Sequence, residues 1–196
     1  MKKGTIIGLS IAGLFVIIFL WGFGRYNSIV TSDELVSQGW SNVQSQYQRR
    51  ADLIPNLVET VKGYATHESK TLTDVVEARA KATQVTVDPT NITPEKLAEF
   101  QAAQSNVGSA IGRLLVSVEA YPDLKANQNF RDLQVQLEST ENRISVARDR
   151  FNEAVTGYNM KIRYIPGNII ASITGFEKKE KFNAEAGSQK APQVKF

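Results

Sequence analysis

An uncharged run near the start of the chain constrains its fold more than any other feature. From Gly4 to Gly24 the sequence reads GTIIGLSIAGLFVIIFLWGFG, 21 residues without a charge. A helix rising about 1.5 Å per residue needs about 20 apolar residues to cross a bilayer core. The run is therefore predicted to be a transmembrane anchor over 4–24, behind a flank of residues 1–3. A cleaved signal peptide is the competing reading, since Lys2 and Lys3 would suit its basic start, but such peptides have shorter apolar cores and end on small residues. This run ends on Trp21, Phe23 and Tyr26. Trp and Tyr favour the bilayer interface, which makes Trp21 and Tyr26 membrane-interface candidates. Lys2 and Lys3 on one side, against Arg25 followed by Asp33 and Glu34 on the other, predict a cytoplasmic N-terminus with the domain outside.

Behind the anchor the periodicity is helical throughout. Val30, Thr31, Glu34 and Leu35 have the spacing of a capping box with a hydrophobic staple, which predicts a break in a connector at 25–30. A continuous helix through Tyr26 and Asn27 is the alternative. Val36, Trp40, Val43, Tyr47, Ile54, Leu57, Val61 and Tyr64 then step by threes and fours, interrupted by Arg50, and Pro55 should bend the helix. A second helix is predicted at about 68–85 with Leu72, Val75, Val76 and Ala80 inward. Thr93 as cap and Pro94 at the first position open a third, whose stripe runs from Leu97 to Tyr121 with only Gln104 polar. The fourth, at about 124–164, carries Phe130, Leu133, Leu137, Thr140, Ile144, Ala147, Phe151, Ala154, Tyr158 and Ile165. The expectation is an all-α protein: an N-terminal transmembrane helix followed by an antiparallel four-helix bundle with long helices over 31–165. A coiled coil is the alternative for such stripes. A short apolar segment at 166–176 and a disordered basic tail at 177–196 complete the plan.

Composition closes off several function classes. The net charge of +3 lies at the ends: Lys2 and Lys3 in 1–24, five Lys against three Glu in 177–196, and 16 basic against 17 acidic residues between. A near-neutral body argues against a nucleic-acid partner, which needs a basic face. With no cysteine and one histidine, His67, disulfides, thiolate sites and multi-histidine centres cannot be built. His67 lacks the second histidine of an HExxH motif, and no nucleophile elbow or phosphate-binding glycine loop occurs. No catalytic residue, metal or cofactor is assigned.

WSNVQSQYQRRADLIPNLVETVKGYATHESKTLTDVVEAR at 40–79 and ISVARDRFNEAVTGYNMKIRYIPGNIIA at 144–171, in that order behind an apolar start, resemble the LemA family of bacterial membrane proteins. The resemblance runs from the anchor to about Phe176. Phe151 stands where the family often has Tyr, and 177–196 matches no named pattern. The resemblance implies a single-pass bacterial membrane protein with a four-helix soluble domain; together with the charge bias, the expected location is the bacterial inner (cytoplasmic) membrane with the domain on the outer, periplasmic or extracytoplasmic face. The resemblance implies no reaction.

Four groups of residues are candidate sites. Arg49, Arg50, Asp52 and Asn56, with Pro55, form the densest polar cluster. A guanidinium inside an apolar stripe needs a carboxylate such as Glu138 or Glu141, or several carbonyls. This is either a register-setting pair or a polar pocket for a ligand or partner. Gly108 and Gly112, one turn apart, suggest close packing against Trp40 or Tyr47, or a notch for a partner helix. Tyr158 and Asn159 in the second motif are structural or partner candidates. Ile169, Ile170, Ile173 and Phe176, followed by lysines, form either a plug over the end of the bundle or a membrane-interface face. The expected function is a non-enzymatic membrane-anchored adaptor or self-assembling scaffold whose partners are the lipid bilayer and other envelope proteins or itself. The alternative is a small-ligand receptor or envelope enzyme using the Arg49/Arg50/Asp52/Asn56 cluster.

Overall fold

The computed structural model describes residues 3–65 and 68–183, without the side chains of residues 3, 5 and 6. Regular structure among them is entirely helical, as the periodicity predicts: α1 (Lys3–Lys62), α2 (Ser69–Gln84), α3 (Pro94–Ser117), a 3-10 turn at Val118–Ala120, α4 (Pro122–Ala126), α5 (Gln128–Arg163) and α6 (Gly167–Thr174). His67 and residues 184–196 lie outside the described residues.

The break expected at 25–30 does not occur. α1 is one helix of 60 residues that carries the apolar run directly into the domain. Thr31 does not cap it. Its hydroxyl donates to the Asn27 carbonyl at 2.9 Å, and that of Ser32 donates to Ser28 at 3.1 Å, the back-bond such residues make inside a helix. Ile29, buried in the core, holds this stretch by tertiary packing.

The helix also continues through Pro55. Proline has no N–H, so the carbonyl four residues earlier loses its helical donor. That carbonyl, on Ala51, accepts from Arg79 Nε at 2.7 Å instead. The missing bond thus becomes a docking point for α2.

Long-range bonds give the helix directions. Lys161 reaches the Ser28 carbonyl, Arg50 reaches Glu141, and Asn127 reaches Tyr64, so α5 runs antiparallel along α1. α2 doubles back from α1, and α3 turns again, its Phe100 against Trp40 and Tyr47. Thr93 caps α3 through Lys96 N at 3.3 Å, with Pro94 beside it. The predicted fourth helix is divided, because Asn127 leaves helical geometry and caps α5 through Phe130 N at 3.0 Å.

Four inward assignments are corrected. Tyr64, Val76, Ala80 and Ile165 face outward, while Ala65, Ala82 and Ile162 are buried beside them. The disordered tail expected from 177 is corrected for 177–183. These residues return along α5, and Phe182 is buried in the core.

Candidate functional site: a polar layer and a strapped groove

The buried residues form two apolar clusters along the domain axis. One holds Val36, Trp40, Val43 and Tyr47 of α1 with Leu97 and Phe100 of α3 and Ile144 to Ile162 of α5. The other holds Ile54, Leu57 and Val61 with Val107 to Leu114 and Phe130 and Leu137. Between them, the polar interruptions of two stripes meet. Arg50, 4% exposed, donates from Nη2 to the Gln104 carbonyl at 2.8 Å and to Gln104 Oε1 at 2.7 Å. Its Nη1 donates to Glu141 Oε1 at 2.9 Å, and the guanidinium lies 5.0 Å from the Tyr47 ring centre. A buried cation is tolerated only with such partners, and here they tie α1, α3 and α5 together at one level.

The rest of the polar cluster does not converge on it. Arg49, Asp52, Pro55 and Asn56 are exposed, and Asp52 accepts from Gln48 at 2.7 Å. A cleft of about 170 Å³ opens beside Arg50, lined also by Tyr47, Arg79, Thr83, Phe100 and Gln104. Of the four cluster residues, only Arg50 reaches it.

The close packing expected at Gly108 and Gly112 is also corrected. Both lie on the outer face of α3. A Cβ at Gly108 would meet only Arg50 Nη1, at 3.8 Å, and one at Gly112 would meet nothing within 4 Å. The tight glycines are Gly39, where a Cβ would stand 3.3 Å from Phe151 Cα, and Gly167, where one would stand 1.9 Å from the Lys161 carbonyl oxygen.

At the end of the domain nearest the apolar run, Arg25, Ser28 and Ile29 share a recess with Tyr164 to Gly167. α6 divides its apolar residues between two faces. Ile170 packs inward, while Ile169 and Ile173 are exposed, as is Ile165 just before the helix. Trp21 is exposed with the Arg25 guanidinium 5.8 Å above its ring, and Tyr26 packs on Phe176 at 5.8 Å.

Gly175, at φ 79, ends α6 in the left-handed region that suits glycine. From there residues 176–183 form a strap over α5. Phe176 meets Tyr158 at 6.4 Å as well as Tyr26. Lys179 pairs with Asp33, and its Nζ stands 5.3 Å from the Tyr158 ring centre. Phe182 stacks on Trp40 at 5.8 Å and meets Phe151 edge-on at 5.4 Å.

Two asparagines hold the strap backbone. Asn159 Nδ2 donates to the Lys179 carbonyl at 2.8 Å, and its Oδ1 accepts from Lys179 N at 3.0 Å. Asn152 does the same for Phe182, at 3.3 and 2.9 Å. Gln101 and Arg148 donate to the Asn183 carbonyl at 2.9 and 3.1 Å. The Tyr158 hydroxyl donates to the Glu177 carbonyl at 3.0 Å. Burial, with the charges of Asp33 and Glu177, pushes this phenol up to about 12.

Tyr158 and Asn159 are thus both strap-binding residues. Asp33, Asn152, Lys179 and Phe182 were not singled out from sequence. The signal for them is the three-residue step Phe176, Lys179, Phe182, which a tail read as disordered conceals.

The model of the LemA family matches residues 39–196, the strap and tail included. Magnetosome protein MamQ 2 of Paramagnetospirillum magneticum is 29% identical over 175 residues, covering 81% of this chain and 64% of that protein. Magnetosome protein MamQ of Magnetospirillum gryphiswaldense is 28% identical over 202 residues, covering 93% of this chain and 74% of the relative. Protein LemA of Metamycoplasma hominis is 26% identical over 159 residues, covering 81% and 68%. The chain spans slightly less than two thirds of the length of MamQ 2. With the family model matched over most of its length, the chain belongs to the LemA family.

Proposed function

We propose that this protein is a non-enzymatic, membrane-anchored helical adaptor of the bacterial envelope that organises partners or further copies of itself. In this reading α1 crosses the inner membrane through 4–24 and the domain stands on the outer face. The observation that carries it is the continuity of α1. Its window of mean hydropathy 2.2 is wholly exposed, and the same helix supplies a central part of both apolar clusters. A helix whose apolar surface is left open on all sides needs lipid around it. The anchor and the domain are then one rigid body, suited to holding a surface at a set distance from the bilayer.

α6 adds a second contact with the membrane. Exposed Ile165, Ile169 and Ile173 lie next to the residues where the apolar run ends, with Lys178 and Lys181 exposed beyond them. An apolar face followed by lysines suits the interface of an anionic bilayer.

Crosslinking of the full-length protein in native membranes, with mass-spectrometric identification, tests the adaptor reading. Recovery of defined envelope proteins or of a self-product is expected. Recovery of lipid adducts alone would overturn it, and release of the protein by alkaline carbonate would overturn the anchor. For α6, Ile169→Trp and Ile173→Trp should be quenched by brominated lipid in proteoliposomes. A receptor or envelope enzyme acting through the Arg49/Arg50/Asp52/Asn56 cluster keeps only the cleft at Arg50 in its favour.

A further inference from the structure

The strap is bound in the way a groove binds an extended peptide. Its three anchoring side chains, Phe176, Lys179 and Phe182, are spaced by three. The residues that receive them are spaced by seven: Tyr26, Asp33 and Trp40 on α1, and Phe151 with Asn152, then Tyr158 with Asn159, on α5. Three residues of extended or polyproline-like chain advance about 9–10 Å, and seven helical residues advance about 10.5 Å. The two repeats match, so Phe176, Lys179 and Phe182 meet successive heptad positions on α1, while on α5 Tyr158 serves both Phe176 and Lys179, and Phe151 with Asn152 serves Phe182.

Recognition is divided by chemistry. Asn152 and Asn159 each bond both the N–H and the C=O of one strap residue, which any sequence offers. The side-chain positions are selective: a ring between Tyr26 and Tyr158, an ammonium between Asp33 and the Tyr158 face, and a ring on Trp40. Apart from the N–H of Phe176, which closes the end of α6 on the Ala171 carbonyl at 3.1 Å, the bonds described for the strap backbone come from side chains of α3 and α5, and the strap joins α6 at Gly175. A segment held this way can be supplied by another molecule with the same bonds remade, which is the condition for exchange between copies.

We propose that this groove is a binding site for an extended Phe-x-x-Lys-x-x-Phe segment, and that it takes residues 176–182 of a second copy in trans as well as its own in cis. This deepens the adaptor reading by making another copy the partner. The second copy is the occupant the charges favour, because its Lys179 meets Asp33 as the resident lysine does. Anchors that confine copies to one membrane raise the effective concentration that exchange requires.

The chain has no cysteine, so engineered thiols report alone. Two full-length versions with different tags are co-expressed in one membrane, one carrying Gln101→Cys and the other Asn183→Cys, and treated with a short bismaleimide. A hetero-crosslinked product of both tags is expected. Asp33→Lys on the Gln101→Cys version together with Lys179→Glu on the Asn183→Cys version mismatches the charges of each copy in cis and matches them in trans, so the product should rise at least about tenfold. Either change alone, which mismatches cis and trans alike, should leave it near its starting level. Both cysteines on one copy give the intrachain control. The control without the hetero-product overturns exchange. A product that does not rise with the paired charge reversal overturns the groove, and absence of the intrachain link in the otherwise unchanged chain overturns both. Loss of the hetero-product while other envelope proteins are still captured removes this inference and leaves the adaptor reading standing.

Discussion

The bond between Arg79 and the Ala51 carbonyl predicts a coupling whose sign follows from proline chemistry. Arg79→Met keeps most of the aliphatic stem and removes the donor. In the native chain the Ala51 oxygen then has no donor from Pro55 and none from α2. A hydrogen bond from a charged group contributes about 1.5–3 kcal/mol. Both residues are half-buried, so the lower end, about 1.5 kcal/mol, is the appropriate figure. In a Pro55→Ala background residue 55 regains its N–H and closes the helical bond to Ala51. Arg79→Met should then cost about 0.5 kcal/mol or less, the residue of a solvated interaction. The coupling is thus about 1 kcal/mol, or about 2–4 °C in Tm for a chain of this size. Pro55→Ala alone should raise stability, because proline in a helix interior costs about 3 kcal/mol relative to alanine. Unfolding of the four variants in detergent micelles, followed by far-ultraviolet circular dichroism, measures the cycle. An equal cost for Arg79→Met in both backgrounds would refute the account of Ala51 as an orphaned acceptor.

Further predictions concern the polar layer, the glycines and the strap. Arg50→Ala should cost about 3–5 kcal/mol, because Gln104 loses two bonds in a buried layer, while Glu141→Gln, at a half-exposed partner, should cost about 1 kcal/mol or less; equal costs in denaturant titration would assign the layer to the ion pair instead. Gly112→Ala, with open space around it, should stabilise α3 by about 0.5–1 kcal/mol, whereas Gly167→Ala must displace the Lys161 carbonyl and should lower Tm. Tyr158 is held neutral in the fold, its value raised from 10.0 to about 12. Since the folded value lies above the unfolded one, its contribution is intact below pH 10 and is lost as pH rises from 10 toward 12. An ultraviolet tyrosinate titration should show a late phase that Tyr158→Phe removes, and ionisation of every tyrosine together would contradict it.

Much of the helical plan is legible in the sequence, because apolar residues at threes and fours can be buried only along one face of a helix. Arg50 and Gln104 were legible as interruptions of two stripes, and Glu141 as a carboxylate for Arg50, but the meeting of Arg50 with Gln104 depends on the relative register of α1 and α3, which periodicity does not set. The connector was misread because a capping box is a local signal, and the burial of Ile29 outweighs it. The outer glycines were misread because spacing says that a helix side is smooth without saying which side faces in. The strap was hidden for a different reason. Its lysines and glutamates resemble a solvated tail, and the two-helix track that orders it is assembled from residues more than a hundred positions apart.

The unbroken α1 has a mechanical consequence. From Gly24 to its end at Lys62, the helix extends about 57 Å beyond the apolar run at 1.5 Å per residue. In the proposed arrangement, with the apolar run in the bilayer and no joint beside it, the domain does not swivel independently of the membrane segment. Transmembrane helices change their tilt to match local bilayer thickness, and a change of about 10° would carry the far tip sideways by about 10 Å. In that arrangement the helix would act as a lever, with the lipid thickness on its short arm and the position of the polar layer, the cleft and the distal loops on its long one.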